Sequence, residues 1–194
     1  MGQCSSDLDG APDHALLAAY AAGDLAAARV LTARLAPRVL GFAARMLKGD
    51  RAEAEDVTQE AMLRLWKIAP DWQQDQAKVS TWLFRVASNL CLDRLRRAGR
   101  NVDLDDAGEP ADGTPGVVER MVAADRAAAL EAALATLSER QRQAVVLRHI
   151  EGLANPEIAE VMDISVEAVE SLTARGKRAL AAALSPRREE LGYG

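Results

Sequence analysis

The chain has 194 residues and a formal net charge of −5, with 49% hydrophobic residues but only 4% aromatic ones. This length allows one ordinary domain or two small ones. The hydrophobic residues are mainly alanine and leucine, which are strong helix formers, and no β-branched or aromatic run predicts a strand. Neither a signal-peptide pattern nor a membrane-spanning run is present. We therefore predict an all-α cytoplasmic protein without membrane insertion.

The charge is unevenly distributed along the chain. Residues 101–125 contain seven acids and one base, a local balance of −6. The remainder sums to +1, because −5 minus −6 leaves +1. Residues 78–100 carry six bases against one acid, and residues 166–188 carry five against two. Such basic segments favour contacts with nucleic-acid phosphates, which depend on local patches and not on total charge.

Composition divides the chain into two helical domains and three irregular segments. Asp, Gly, Pro and Thr dominate the stretch after residue 100, where no apolar period survives. The predicted segments are a disordered N-terminus at 1–13, a domain at 14–99, a flexible acidic linker at 100–118, a domain at 119–185 and a tail at 186–194.

Capping residues and prolines set the predicted helix limits in the first domain. Pro37 is expected to break or restart the helix in which it lies. Asp50 is expected to cap the next helix, with Glu53 completing a capping box, and Pro70 to end that helix. Ser80 is expected to cap a last helix that ends near Gly99.

The second domain contains a helix-turn-helix pattern. Ser138 is expected to cap the first helix of this region, and Asn155 a short helix at 156–162. Asp163 follows in the turn, and Ser165 caps a long helix with basic residues in its later turns. Aspartate tolerates the positive φ that such turns require. A plain helical hairpin is the alternative, but the caps, lengths and basic face favour DNA binding.

The last helix provides the candidates for contacts with duplex DNA. Ser171 and Arg175 are expected to face the major groove, and Lys177 and Arg178 to contact phosphates. Glu170 either accepts a hydrogen bond from a cytosine amino group or stabilises the start of the helix.

Aromatic residues alternate with cations over residues 72–97, a pattern that suits single-stranded nucleic acid because unstacked bases rest on aromatic faces. Trp82 and Phe84 recur at a spacing typical of a buried helix face, so we assign most of these aromatics to packing. The polar loop 73–77 and Asn89 are the better candidates for reading a displaced base.

Residues 54–66 have the period of an amphipathic helix. The inner face is predicted to contain Val57, Ala61, Leu65 and Ile68. The outer row consists of Asp56, Gln59 and Glu60, which by itself indicates only a solvated surface.

These patterns resemble the sigma factors of bacterial RNA polymerase. The run Glu55-Asp56-Val57-Thr58-Gln59-Glu60, followed by Leu63-Arg64-Leu65-Trp66, is similar to the helix that binds core polymerase. Residues 81–89 (Thr-Trp-Leu-Phe-Arg-Val-Ala-Ser-Asn) resemble the region that melts and reads the promoter. Residues 137–180 resemble region four. The regions that separate the two domains in larger members are missing, which indicates the extracytoplasmic-function (ECF) group and its σE-like branch.

The resemblance implies the following partners and site residues. The clamp helices of the polymerase β′ subunit would contact Asp56, Gln59, Glu60, Met62 and Trp66. The minus-ten element would contact Trp72, Gln73, Gln74, Asp75, Gln76, Ala77, Lys78, Arg85, Asn89, Arg96 and Arg97. The minus-thirty-five element would contact Glu170, Ser171, Ala174, Arg175, Lys177 and Arg178. The C-terminal domain would also contact the β flap. Glu170 departs from the family, whose members often carry a base there.

The implied function is that of an alternative sigma factor that directs core polymerase to specific promoters and promotes melting. An anti-sigma partner and a role in a stress response are expected. The sequence contains no pattern for catalysis, a metal or a cofactor, and the protein is expected not to be an enzyme. Two other functions remain open, a conventional helix-turn-helix regulator that acts without core polymerase and a helical adaptor that binds other proteins.

Overall fold

The structure, a computed structural model, describes residues 8–73, 77–101 and 118–185, without the side chains of 100, 101 and 118–124. Within these ranges every regular element is helical, which confirms the predicted fold class. Most of the predicted linker (102–117), loop residues Gln74, Asp75 and Gln76, and the tail at 186–194 lie outside the described residues.

Among the described residues, each domain contains four α-helices of seven residues or more. The N-terminal domain contains α1 (Asp13–Ala21), α2 (Leu25–Met46), α3 (Arg51–Ile68) and α4 (Val79–Asn101). The C-terminal domain contains α5 (Val118–Ala135), α6 (Glu139–Val145), α7 (Asn155–Met162) and α8 (Val166–Leu184). A 3₁₀ turn at Ala69–Asp71 follows α3, and a π-helical turn at Val146–Ile150 follows α6.

Three predicted helix caps are confirmed. The Asp50 side chain accepts a hydrogen bond from the Glu53 N–H at 3.0 Å. Ser138 accepts from the N–H three residues on at 3.4 Å, and Ser165 does the same at 3.2 Å. Each cap pairs one N–H group that the first turn of a helix leaves without a partner.

Three predicted helix limits were wrong. Pro37 lies inside the continuous helix α2, because apolar residues on both sides of it are buried in one core and outweigh the lost backbone hydrogen bond. Ser80 lies within α4, which begins at Val79. Asn155 is the first residue of α7 and not its cap, because the Glu157 carboxylate accepts from the Ala154 N–H at 2.8 Å and starts the helix there.

Residues 8–13 have defined contacts, although the sequence predicted disorder up to residue 13. The guanidinium group of Arg34 donates to the carbonyl oxygens of Asp9 and Ala11, each at 2.9 Å. It also forms an ion pair with Asp13 at 2.6 Å. The start of the N-terminal domain therefore lies before the predicted boundary.

The two domains share a continuous buried core. In the N-terminal domain it is formed by residues such as Leu31, Leu35, Phe42, Val57, Leu65 and Phe84. In the C-terminal domain it includes Leu134, Val146, Leu147, Ile158 and Val169. Helix α7 packs against α4, and α2 contacts α5, α6 and the π-helical turn. The two domains therefore pack against each other, an arrangement that we call the closed structure.

Candidate nucleic-acid and protein interfaces

Helices α7 and α8 form a helix-turn-helix. Asp163 adopts the left-handed conformation in the turn (φ 53°, ψ 52°), which confirms that it takes the position where many such motifs carry glycine. Ile158 and Val169 are fully buried between the helices, and Met162 is nearly so. Ile164 and Leu172 are half-buried at the edge of this packed pair.

The predicted DNA-reading residues of α8 lie on one exposed surface. Ser171 is half-buried, and the exposed members of the set are Glu170, Ala174, Arg175, Lys177 and Arg178. Partial burial, together with Lys177 and Arg148, lowers the pKa of His149 on the π-helical turn. Lys177 of α8 and Arg148 of the π-helical turn thus both disfavour the charged form of His149.

Glu170 has a partner within the helix-turn-helix. The Asn155 side-chain amide donates to the Glu170 carboxylate at 3.4 Å, so the acid connects the start of α7 to α8. This contact gives Glu170 a structural role, in addition to the two roles considered from the sequence.

The described members of the predicted minus-ten set lie in the segment before α4 and along α4 itself. Trp72 and Trp82 pack edge to face with ring centroids 6.0 Å apart, and Phe84 is buried against Phe42. The assignment of these aromatics to packing is therefore confirmed for Phe84 and in part for the half-buried tryptophans. The exposed members of the set are Gln73, Lys78, Arg85, Asn89, Arg96 and Arg97, while Ala77 is half-buried.

Gln59, Met62 and Trp66 of the predicted polymerase-binding set line a groove between α2 and α3, whereas Asp56 and Glu60 do not line it. Asp56 and Gln59 are exposed, and Glu60 pairs with Arg64. Met62 is only 6% exposed, and Trp66 is half-buried and packs against Tyr20 in a tilted arrangement with ring centroids 4.7 Å apart. The groove has a volume of about 390 Å³ and is lined by Thr32, Ala36, Leu40, Glu55, Thr58, Gln59, Met62, Leu63 and Trp66.

Leu63 is a candidate contact residue that sequence reasoning missed. It lies at the edge of this groove and is 66% exposed, in contrast to the buried Leu65 of the same helix. Its position four residues after Gln59 places it on the outer, solvent-facing row of α3. An apolar residue in that row indicates a contact surface and could have been noticed in the sequence.

Among the described residues, no three His, Cys, Asp or Glu side chains are grouped as metal ligands would be. No described helix is both long and apolar enough to cross a bilayer. Cys91 is fully buried within α4, and this burial raises the pKa of its thiol to about 12 although Arg94 opposes the shift.

The fold and these surfaces define a two-domain helical DNA-binding protein with a helix-turn-helix in its C-terminal domain. The family description "Sigma-70 region 2" matches residues 31–101, and "Sigma-70, region 4" matches residues 127–180. The chain belongs to the sigma-70 family and is an ECF RNA polymerase sigma factor.

Relatives and solved structures agree with this assignment. The chain is 35% identical to the ECF sigma factor SigM of Mycobacterium tuberculosis, over 87% of this chain and 83% of the relative. It is 32% identical to the sigma factor CnrH of Cupriavidus metallidurans, over 89% of this chain and 94% of the relative. The solved complex of CnrH with the cytosolic domain of CnrY matches with a TM-score of 0.65, 29% identity and coverage of 90% and 97%. The sigma factor RpoE in complex with the anti-sigma factor NepR, from Bartonella quintana, shares the fold at 19% identity (TM-score 0.64, coverage 79% and 94%).

Proposed function

We propose that the chain binds core RNA polymerase through the α2–α3 groove and directs it to promoters that both domains recognise. An apolar groove beside exposed polar residues suits a protein partner, since interface cores are apolar and their rims polar. The observation that carries this proposal is that Leu63 and Met62 line this groove together with exposed Gln59. The partner surface is the pair of β′ clamp helices.

The two DNA sites use different physical modes of recognition. Helix α8 presents Arg175, Lys177 and Arg178 to duplex DNA at the minus-thirty-five element, while the domain contacts the β flap. The loop after Trp72 and the start of α4 capture bases of the non-template strand at the minus-ten element. Unpairing costs a few kcal/mol per extruded base, and binding of those bases offsets this cost without covalent chemistry. The protein therefore acts without catalysis, cofactor or metal, in the cytoplasm where its polymerase is.

Transcription from purified components tests the proposal. Core polymerase with this chain should give promoter-dependent run-off products from a genomic library, and core alone should not. Replacing Asp56, Gln59 and Glu60 together by alanine should abolish these products while α8 still binds duplex DNA. A conventional helix-turn-helix regulator would bind its sites equally well without polymerase, and a helical adaptor would not bind DNA at all.

An anti-sigma protein is the second proposed partner, with a stress response as its setting. The complexes of CnrH with CnrY and of RpoE with NepR support this expectation. Co-purification with the product of a neighbouring gene, and inhibition of run-off transcription by it, would test the proposal. A neighbour that neither binds nor inhibits would contradict it.

A further inference from the structure

The C-terminal domain lies against the part of the N-terminal domain that is proposed to bind minus-ten DNA. Helix α7 packs against α4, and its first turn carries Glu157. This carboxylate pairs with Lys78 Nζ at 2.9 Å and accepts a long hydrogen bond of 3.5 Å from the Thr81 hydroxyl. Lys78 belongs to the proposed minus-ten set and Thr81 to the matched promoter-reading region.

A second acidic residue strengthens the contact between the domains. The Glu151 side chain is only 6% exposed and pairs with Arg38 of α2 at 3.2 Å. Arg38 also donates to the Glu151 carbonyl oxygen at 2.9 Å. Because a buried carboxylate needs a partner for its charge, Arg38 is required for this part of the closed structure. Arg45 and Glu131 add a further ion pair between the domains at 3.0 Å.

The contact between the two domains leaves the proposed duplex-binding surface of α8 exposed. The cations of α8 remain exposed in the closed chain, as do Arg85 and Asn89 further along α4. The C-terminal domain therefore contacts only the start of the minus-ten surface, where the Lys78 side chain stays 75% exposed beside Glu157. Nucleic-acid phosphates and the Glu157 carboxylate are both anions, so a strand that uses Lys78 competes with Glu157 for its charge.

We propose that the first turn of α7 is an internal binding surface for the minus-ten face, with Glu157 occupying Lys78 in place of a DNA phosphate. The contact thus weakens binding of single-stranded DNA by the free chain while its duplex-reading helix stays available. This inference rests on the proposed role of Lys78 in minus-ten binding. Since competition is reciprocal, single-stranded DNA that binds this face also weakens the contact between the domains and favours their separation.

The variant Glu157→Gln tests the competition. Glutamine retains an oxygen that accepts from the Ala154 N–H, so the start of α7 is preserved while the charge is lost. Glu160→Gln is the matched control, because Glu160 is exposed on the same helix and loses the same charge. The probe is a fluorescein-labelled 12-nucleotide single strand of random sequence, with a random duplex in parallel. Affinity is measured by anisotropy.

Glu157→Gln should bind the single strand about three-fold more tightly than Glu160→Gln, the scale of one partly exposed ion pair. Duplex affinity should be equal in the two variants. Equal single-strand affinity, or an equal gain for duplex, would overturn the proposal.

Domain separation gives an independent measurement on the full chain. Dyes on cysteines introduced at exposed Ala52 and Ala182, with Cys4 replaced by serine, report the distance between α3 and α8 by energy transfer. Saturating single-stranded DNA should change the transfer efficiency, and Arg38→Ala should produce the same change without DNA. No change on saturation would contradict the proposal. Run-off transcription in parallel distinguishes failure of this inference from failure of the proposed function. A chain that supports transcription but shows neither the affinity change nor the change in energy transfer contradicts only the proposed role of the contact between Glu157 and Lys78.

Discussion

Arg142 of α6 donates a hydrogen bond from Nη1 to the carbonyl oxygen of Met46, the last residue of α2, at 2.8 Å. The same guanidinium group donates to the carbonyl oxygens of Leu134, Ala135 and Leu137, at 3.0 to 3.2 Å. One buried cation thus pairs the free carbonyls at the C-terminal ends of two helices, one from each domain. The negative ends of the helix dipoles stabilise its charge.

Arg142→Ala should lower the free energy of unfolding by about 3 kcal/mol, because several buried carbonyls lose their donor at once. Urea unfolding followed by circular dichroism measures this change. Arg140→Ala is the control, since Arg140 is exposed two residues away and should change stability by less than about 0.5 kcal/mol. Equal effects of the two substitutions would show that the four hydrogen bonds do not contribute as described.

Gly176 permits the close approach of α8 to α6. A Cβ atom at this buried position would lie 2.5 Å from Val145 Cγ2 and 3.3 Å from the Gln141 carbonyl oxygen. Gly176→Ala should therefore destabilise the C-terminal domain by about 1–3 kcal/mol, despite the higher helix propensity of alanine. Gly99→Ala in α4 is the matched control, because a Cβ there meets no atom within 4 Å. It should stabilise by about 0.5–1 kcal/mol, and thermal unfolding compares the two.

Much of the fold and of the candidate sites could be predicted from the sequence. Asp50, Ser138 and Ser165 were identified as caps because a cap depends on a few neighbouring residues. Asp163 in the turn was identifiable for the same reason, since its conformation is a local requirement. The exposure of α8 followed from helical period alone.

Contacts between distant parts of the chain could not be predicted in this way. Arg38 and Glu151 are 113 residues apart, so no sequence period relates them. Pro37 was misjudged because tertiary packing outweighs its local preference. The sequence does indicate that Arg142 lies on a buried helix face, since it precedes buried Val145 and Val146 by three and four residues. A single arginine on an apolar face does not reveal which carbonyls it will pair.

Cys91 should be almost unreactive in the folded chain. Burial raises the pKa of its thiol to about 12, and only the thiolate is nucleophilic. The thiol is neutral in the folded state, so its contribution to stability is present below the unfolded pKa of about 8.5. That contribution is lost as the pH rises from there towards 12. In a Cys4→Ser background, labelling by a disulfide reagent between pH 8 and 10 should be slow and limited by unfolding. Rapid labelling without denaturant would contradict the burial of this side chain.

The exposed leucine at the proposed polymerase groove offers a test that leaves the core intact. Leu63→Asp should weaken binding to core polymerase by about ten-fold or more, because it places a charge in the apolar part of the interface. Stability should change little, since Leu63 is 66% exposed. Leu25→Asp is the matched control, because Leu25 is 67% exposed at the start of α2 and does not line the groove. Titration of labelled chain with core polymerase measures both affinities. If the two variants bind equally well, the groove is not the binding surface, even if the chain supports run-off transcription.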